Sequence, residues 1–241
     1  MKSMKMLAPT YIARFNNTFD MIKTSKGSAL DIGCADGSYS RELARRGFDV
    51  NGFDINSIEM DKKNKLKIKY SIDDAKNMSF KNNTFDLAIC IDIIEHIDDD
   101  EKVISEISRV LKTGGQVIIS IPNKDFPITY DPINYVLNKF GYYAPIGIWG
   151  FGHLRVYPLA EIQTLLKKYG FKITECRRTT HYFAGLVENY ISDILQPFTK
   201  KGGKNKEVPT ALLKFFAFIT KLDEKINSNK SVGIVISAEK I

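Results

Sequence analysis

The sequence is short of several things, and each shortage narrows what the chain can be. It has three cysteines in 241 residues, Cys34, Cys90 and Cys176, far apart and odd in number. That pattern argues against a disulfide framework or a cysteine metal site, and for buried free thiols in a reducing cytoplasm. No metal is expected. No apolar run reaches about 18 residues, so no transmembrane helix is expected. Met1 to Met6 carries lysines but leads into no long apolar segment or small-residue cleavage site, which speaks against a signal peptide. There are no internal repeats, no nucleic-acid-binding motif and no Gly-x-x-x-x-Gly-Lys-Ser/Thr phosphate loop. Nucleic acid is therefore not an expected partner, although the formal charge is +7. The excess is mostly lysine, spread along the chain, and serves solubility as readily as an anionic partner. What is present is ordinary for a globular protein: 44% hydrophobic and 26% charged residues, enough to bury a full core.

Strand-like and helical patterns alternate from Gly27 to Asn123. Apolar strand-like runs occupy 28–32, 48–53, 67–72, 85–91 and 115–121, with helical spacing at 38–46, 57–63 and 101–111 and a polar loop at 72–84. Such alternation predicts βαβ units, a parallel sheet and helices on both faces, an α/β doubly wound fold. Thr113-Gly114-Gly115 reads as a helix stop. Ahead of this core, Tyr11, Ile12, Phe15, Phe19 and Ile22 recur at helical spacing, either covering the mouth of the domain or packing on the sheet edge. Residues 124–158 hold prolines, aromatics and the single tryptophan, Trp149, and look like a lid or acceptor insertion. Pro158 opens a helix over 159–169, and 171–179 reads as a strand. Residues 181–230 form a second, mostly helical insertion, and 231–240 a last strand. The expected organisation is one domain, 1–241, with a helical cap at 1–26 and a ligand-binding core at 27–123.

The stretch Ala29-Leu30-Asp31-Ile32-Gly33-Cys34-Ala35-Asp36-Gly37-Ser38 organises the rest. Apolar residues lead to Asp31, and two glycines four apart frame a turn into a helix. Glycine lets a ligand approach the backbone, and a helix N-terminus offers unpaired N–H groups to an anionic group. A dinucleotide site wants Gly-x-Gly-x-x-Gly. Of the matching positions Gly33, Ala35 and Ser38, only the first fits. Asp54 ends the next strand, about 20 residues on, where a carboxylate binds ribose hydroxyls or caps a helix. Ile55 beside it suits an adenine face. Asp74 and Ala75 follow the third strand and suit an adenine edge, or form a solvated turn. Cys90 and Ile91 end the fourth strand at the carboxyl edge, where open α/β sheets bind ligands.

Taken in this order, these elements resemble the class I S-adenosylmethionine-dependent methyltransferases, and most closely the methyltransferase type 11 or UbiE-like group. Leu111-Lys112-Thr113-Gly114-Gly115 is similar to the family's LKPGG segment, and Asn82-Asn83-Thr84-Phe85-Asp86 to its approach to the fourth strand. The resemblance implies a Rossmann-like seven-stranded, mostly parallel sheet with the last strand antiparallel. It implies S-adenosyl-L-methionine as cofactor and S-adenosyl-L-homocysteine as product. Asp31, Gly33, Cys34 and Ala35 would meet the amino-acid end of the cofactor, Asp54 the ribose, Ile55 the adenine face, Asp74 and Ala75 the adenine edge, and Cys90 and Ile91 the methionine side. Ala35 stands where the family has glycine, and an alanine fits there only if its φ is negative.

Methyl transfer needs in-line positioning, and a base only if the nucleophile carries a proton. His96, His153 and His181 are the histidines available, and Tyr157 and Arg155 could orient an acceptor. For each, a structural role is the competing reading. Tyr130, Tyr135, Phe140, Tyr142, Tyr143, Trp149 and Phe151 line an acceptor pocket or form a secondary core. Residues 200–222 join four lysines to an apolar helix, which suits a peripheral membrane contact, a partner or a solvated loop. The reading is a cytoplasmic methyltransferase of a small or lipid-like acceptor. A non-catalytic cofactor-binding module and a nicotinamide-dependent oxidoreductase are the alternatives.

Overall fold

The computed structural model describes residues 9–56, 65–186, 200–201, 204–205, 210–226 and 228–241. In chain order the elements are α1 (Pro9–Asp20), β1 (Gly27–Ile32), α2 (Ser38–Arg45), β2 (Phe48–Asp54), β3 (Lys69–Ile72), β4 (Phe85–Ile91), α3 (Asp100–Val110) and β5 (Leu111–Pro122). There follow α4 (Pro132–Leu137), α5 (Leu159–Lys168), β6 (Phe171–Thr179), α6 (Phe183–Leu186), the short pair β7 (Lys200–Lys201) and β8 (Lys204–Asn205), α7 (Thr210–Asp223) and β9 (Gly233–Lys240). The helix expected over 57–63 lies outside the described residues, as do parts of the 181–230 insertion.

Seven strands make one sheet in the order β3-β2-β1-β4-β5-β9-β6. The β1–β2, β1–β4, β2–β3 and β4–β5 pairs are parallel. β9 runs against β6. Ile241 N–H donates to the Gly170 carbonyl (2.9 Å), the Thr174 hydroxyl to the Ser237 carbonyl (3.2 Å) and Val232 N–H to the Thr180 carbonyl (2.8 Å). Positions fall on one strand as they rise on the other. This is the doubly wound, mostly parallel sheet with an antiparallel last strand that the sequence led us to expect. Its middle strands are buried on both faces: Leu87 to Cys90 and Val117 to Ile119 are wholly inaccessible, as continuous apolar runs demand.

One boundary departs from expectation. Thr113-Gly114-Gly115 is not where the helix stops. α3 ends at Val110, and the fully buried Leu111 is already extended. Pairing to β4 then jumps from Phe85–Leu111 to Leu87–Gln116, so residues 112–115 bulge out of the ladder. The glycines serve the bulge, with Gly114 at φ +78°.

The chain divides into two compact units. One comprises 18–121, 157–176 and 235–241. It holds β1 to β4, α2, α3 and α5. Phe19, at the C-terminal end of α1, stacks on Tyr39 of α2 (5.7 Å between centroids), and the Arg46 guanidinium lies 4.7 Å from the same ring's centre. A buried amide, Gln116, ties β5 to β9 and to the chain ahead of β1. It donates to the Met21 carbonyl and the Ser237 hydroxyl (both 2.7 Å) and accepts from Lys23 N–H.

The other unit comprises 1–17, 122–156 and 177–234. Its core is Phe126, Tyr130, Ile148, Val156 and Val232, with Tyr135 and Trp149 packed against it. The seven aromatics of the insertion therefore split. Tyr130, Tyr135 and Trp149 build this core, whereas Phe140, Tyr142, Tyr143 and Phe151 are exposed. The buried Asp223 carboxylate accepts the backbone N–H groups of His181, Phe183 and Ala184, fastening α7 to α6. No helix among the described residues is long and apolar enough to cross a membrane.

Candidate functional site

Three parallel strands end in one row. Ile32 of β1 lies opposite Phe53 of β2 and Cys90 of β4. One residue further on stand Gly33, Asp54 and Ile91, so the loops predicted to bind a ligand leave the sheet together at its carboxyl edge. β3 extends the row, with Ile72 opposite Asp54.

The glycine loop is tied to β2 at two points. Cys34 N–H donates to the Phe53 carbonyl (2.8 Å), and Ala35 N–H to Asp54 Oδ2 (3.0 Å). The other Asp54 oxygen accepts Asn56 N–H (3.1 Å). Both oxygens thus lie at the mouth of the loop, where the ribose and cap readings of Asp54 meet in one side chain. Gly33, Ala35 and Gly37 all have positive φ, at +69°, +44° and +71°. The negative φ expected of Ala35 is not found. Its peptide is turned so that its N–H reaches Asp54, and the alanine bears the left-handed conformation at a cost of about 1–2 kcal/mol. Gly33 has no such freedom to change. A Cβ there would stand 2.1 Å from Ile93 Cδ1, because the segment after β4 folds down onto the loop.

Asp31 lies at the floor, 3% exposed. Its carboxylate accepts the hydroxyl of Ser40, a buried residue of α2. Burial pushes its pKa up from the usual carboxylate range to about 7; the Ser40 hydrogen bonds pull the other way, and the like charges of Asp36 and Asp54 add to the rise. The Arg41 guanidinium reaches the loop but is spent on the Asp36 carbonyl (2.6 Å) and the Ser38 hydroxyl (3.1 Å). Three carboxylates, Asp31, Asp36 and Asp54, therefore gather around the loop. A ligand carrying positive charge suits this environment, and a pyrophosphate does not.

The remaining predicted positions sort as follows. Ile55 is 65% exposed beside Asp54, an apolar face open to a planar ring. Asp74 Oδ1 accepts Lys76 N–H (2.8 Å) within a turn bridged to Asn77, and Ala75 is buried behind it. Cys90 is wholly buried, and burial raises its thiol pKa well above normal, as it does that of Cys34. Both are packing thiols rather than nucleophiles. All three cysteines are free.

The base candidates differ in setting. His96 is exposed in a short turn after β4. His153 belongs to the other unit, its ring 5.9 Å from that of Phe151. His181 is structural: it is buried, its Nδ1 bonded to the Lys230 carbonyl (2.6 Å). Tyr157 is 1% exposed, and its hydroxyl donates to Asp100 (2.7 Å).

Sequence reasoning missed three residues that shape the site. Ser40, which the helical spacing over 38–46 marks only as a helix position, supports Asp31. Tyr70 of β3 lies against Gly37 and Gly52, which have no side chain to exclude it. Arg109 clamps the loop that carries Asp74. Its guanidinium makes five hydrogen bonds, to Glu106 (twice), Met78 O, Phe80 O and Asn82. An arginine at the end of a helix gives no local sign of such reach; the loop it holds is 27 to 31 residues away.

A family model described as a methyltransferase domain matches residues 7–176. Over 187 residues the chain is 29% identical to phosphoethanolamine N-methyltransferase 2 of Caenorhabditis elegans, covering 71% of this chain and 40% of that protein. Over 110 residues it is 30% identical to a ubiquinone biosynthesis O-methyltransferase of Coxiella burnetii, covering 43% of this chain and 47% of that one. The chain thus spans less than half the length of these curated relatives. A crystal structure of Haemonchus contortus phosphoethanolamine N-methyltransferase 2 with S-adenosyl-L-methionine has the same fold, with a TM-score of 0.60, 22% identity, and coverage of 94% of this chain and 52% of that one.

Proposed function

Since the chain belongs to the methyltransferase-domain family, the class I S-adenosylmethionine-dependent methyltransferases, we propose that it transfers a methyl group to a small-molecule or lipid-like acceptor. The carrying observation is the meeting of Asp31, the 33–37 loop and Asp54 at one sheet edge, with three carboxylates, Asp31, Asp36 and Asp54, around it. The nicotinamide alternative falls away with the family. When bound, S-adenosylmethionine supplies an electrophilic methyl group on a sulfonium.

The chain's own residues do the rest. Asp54 offers two oxygens to a pair of ribose hydroxyls, exchanging its bond to Ala35 N–H for one of them. Ile55 covers the adenine face, Asp74 accepts from the exocyclic amine at its edge, and Ala75 offers its backbone N–H beside it. Gly33, Cys34 and Ala35 present backbone to the amino-acid end. Asp31 faces a cationic ammonium there, which holds its carboxyl ionised despite burial; uptake near neutral pH then releases a proton from Asp31. Ile91 and Cys90 wall the sulfonium side and exclude water. With Tyr157 hydrogen-bonded to Asp100 and His181 to Lys230, His153 and His96 are the remaining base candidates, and catalysis rests chiefly on alignment.

For the acceptor, the names of the relatives support a small molecule with a nitrogen or oxygen nucleophile. Free thiols throughout support a reducing cytoplasm. Peripheral membrane contact through 200–222 belongs to this reading: α7 exposes Phe218 and Leu222 beside Lys214 and Lys221. The competing reading, a binding module without catalysis, is favoured by one observation: Tyr157 and His181 are both committed to structural hydrogen bonds.

Titration calorimetry with S-adenosylhomocysteine, followed by incubation of labelled cofactor with extracted metabolites and lipids, tests both. Binding with label transfer supports an enzyme, and binding without transfer supports the module. Asp54→Ala should weaken cofactor binding by about tenfold or more, since it removes charge-assisted bonds to two hydroxyls. Unchanged affinity would refute the ribose role.

A further inference from the structure

The positive charge of this protein is not shared between its units. Of its 35 lysines and arginines, 16 lie in the unit of residues 1–17, 122–156 and 177–234, against 7 of its 28 acids, a net +9. The other unit carries −2. Within the basic unit, no Asp or Glu occurs from Pro132 to Val156. That acid-free stretch also holds the exposed aromatics: Phe140 at 72%, Tyr142 at 68%, Tyr143 at 61% and Phe151 at 66%.

These rings are held out, not left loose. A turn at Asn138–Phe140 ends at Gly141, whose φ of +78° reverses the chain. The Asn134 amide braces the return: it donates to the Ala144 and Ile146 carbonyls and accepts Ala144 N–H (2.7 Å). Tyr143 stacks on Trp149 at 4.4 Å, and the Lys139 ammonium lies 4.9 Å from the Tyr135 ring centre. A fixed turn displaying one phenylalanine, two tyrosines and a lysine has the composition of a headgroup-layer anchor. Phenyl goes to the acyl boundary, phenols and ammonium to the polar zone. Preformed geometry leaves little ordering entropy to lose on docking.

We propose that this unit docks on an anionic lipid bilayer, with the turn Lys139–Tyr143 entering the headgroup layer. A net +9 draws the unit to anionic headgroups, and the aromatics anchor it. Docking is independent of cofactor binding, so the two readings can fail separately.

The full chain is sedimented with vesicles of phosphatidylcholine alone and with about 30% phosphatidylglycerol. Binding to the anionic vesicles is expected, with a shift in Trp149 emission, since Tyr143 covers that ring. It should weaken severalfold as salt is raised to about 0.5 M. The variant F140S/Y142S/Y143S, altered only at exposed positions, should partition at least about tenfold less while binding S-adenosylhomocysteine as before. Should it not fold by circular dichroism, Lys139→Glu serves instead, with a loss of about fivefold or more from reversing one surface charge. Absence of binding to anionic vesicles, or a variant that binds like wild type, overturns the proposal. So does a dimer in light scattering that the triple variant converts to monomer, which would make the patch a contact between two copies of the chain.

Discussion

Gly33→Ala tests the site's packing most directly. The residue has φ +69°, where an alanine costs about 1–2 kcal/mol. The added methyl would stand 2.1 Å from Ile93 Cδ1 and 2.7 Å from Cγ1. Cδ1 alone can swing away. Cγ1 is bonded to a β-branched carbon with few rotamers, so relief requires the 92–94 segment to shift, at about 1–2 kcal/mol. Stiffening the unfolded chain returns about 0.5–1 kcal/mol. The net loss is therefore about 2 kcal/mol, a sizeable share of ordinary domain stability. Urea unfolding followed by far-ultraviolet circular dichroism measures it. The contact part is separated by a double-mutant cycle. Ile93→Ala removes both clashing atoms, so Gly33→Ala should cost about 1 kcal/mol less in that background. Ile93→Val removes only Cδ1 and should recover less. A Gly33→Ala variant within about 0.5 kcal/mol of wild type, or a cycle without coupling, would refute the packing argument.

Three further outcomes follow from the same geometry. Ala35→Gly relieves a left-handed alanine at φ +44° but frees the unfolded chain, so stability should rise by up to about 1 kcal/mol, measured as a urea midpoint; a fall would mean that the methyl packs favourably. Asp31 binds its proton more tightly folded (about 7) than unfolded (3.8). The folded state therefore holds more protons between these values, and its stability should decline as pH rises from about 4 to 7, by on the order of 4 kcal/mol in all. Asp31→Asn should remove that decline and be more stable than wild type at pH 8, and parallel profiles for the two proteins would contradict the assignment. Arg109→Lys keeps the charge but cannot make five planar hydrogen bonds. We expect a loss of about 2–3 kcal/mol and faster amide exchange at Met78, with unchanged exchange counting against the clamp.

How much of this was legible in the sequence depended on whether the signal was local. Strand runs such as Phe85 to Ile91 announced themselves because burial on both faces leaves little choice of residue. That Asp31, Asp54 and Asp74 share one sheet edge was legible because each stands at or just beyond the carboxyl end of a strand, and parallel strands bring their ends together. Ser40, Tyr70 and Arg109 were not, since their partners lie on other elements. The 111–115 segment misled for a different reason: a glycine pair signals a stop in a helix and a bulge in a strand alike, and only the buried Leu111 decides between them. Ala35 shows the limit of steric expectation, because a hydrogen bond to Asp54 outweighed the preference for negative φ.

The place of β9 has a consequence in time. It follows every other strand of the sheet in the chain, yet lies between β5 and β6. During synthesis the five strands from β3 to β5 can assemble early, but the outer edge of β5 then waits for roughly a hundred further residues before its partner arrives. β6, made in the interval, has no strand to join. The nascent protein therefore passes through a stage with a long apolar strand bare along one side, the arrangement most prone to pairing with another chain. A chain cut short before Gly233 would be held at that stage.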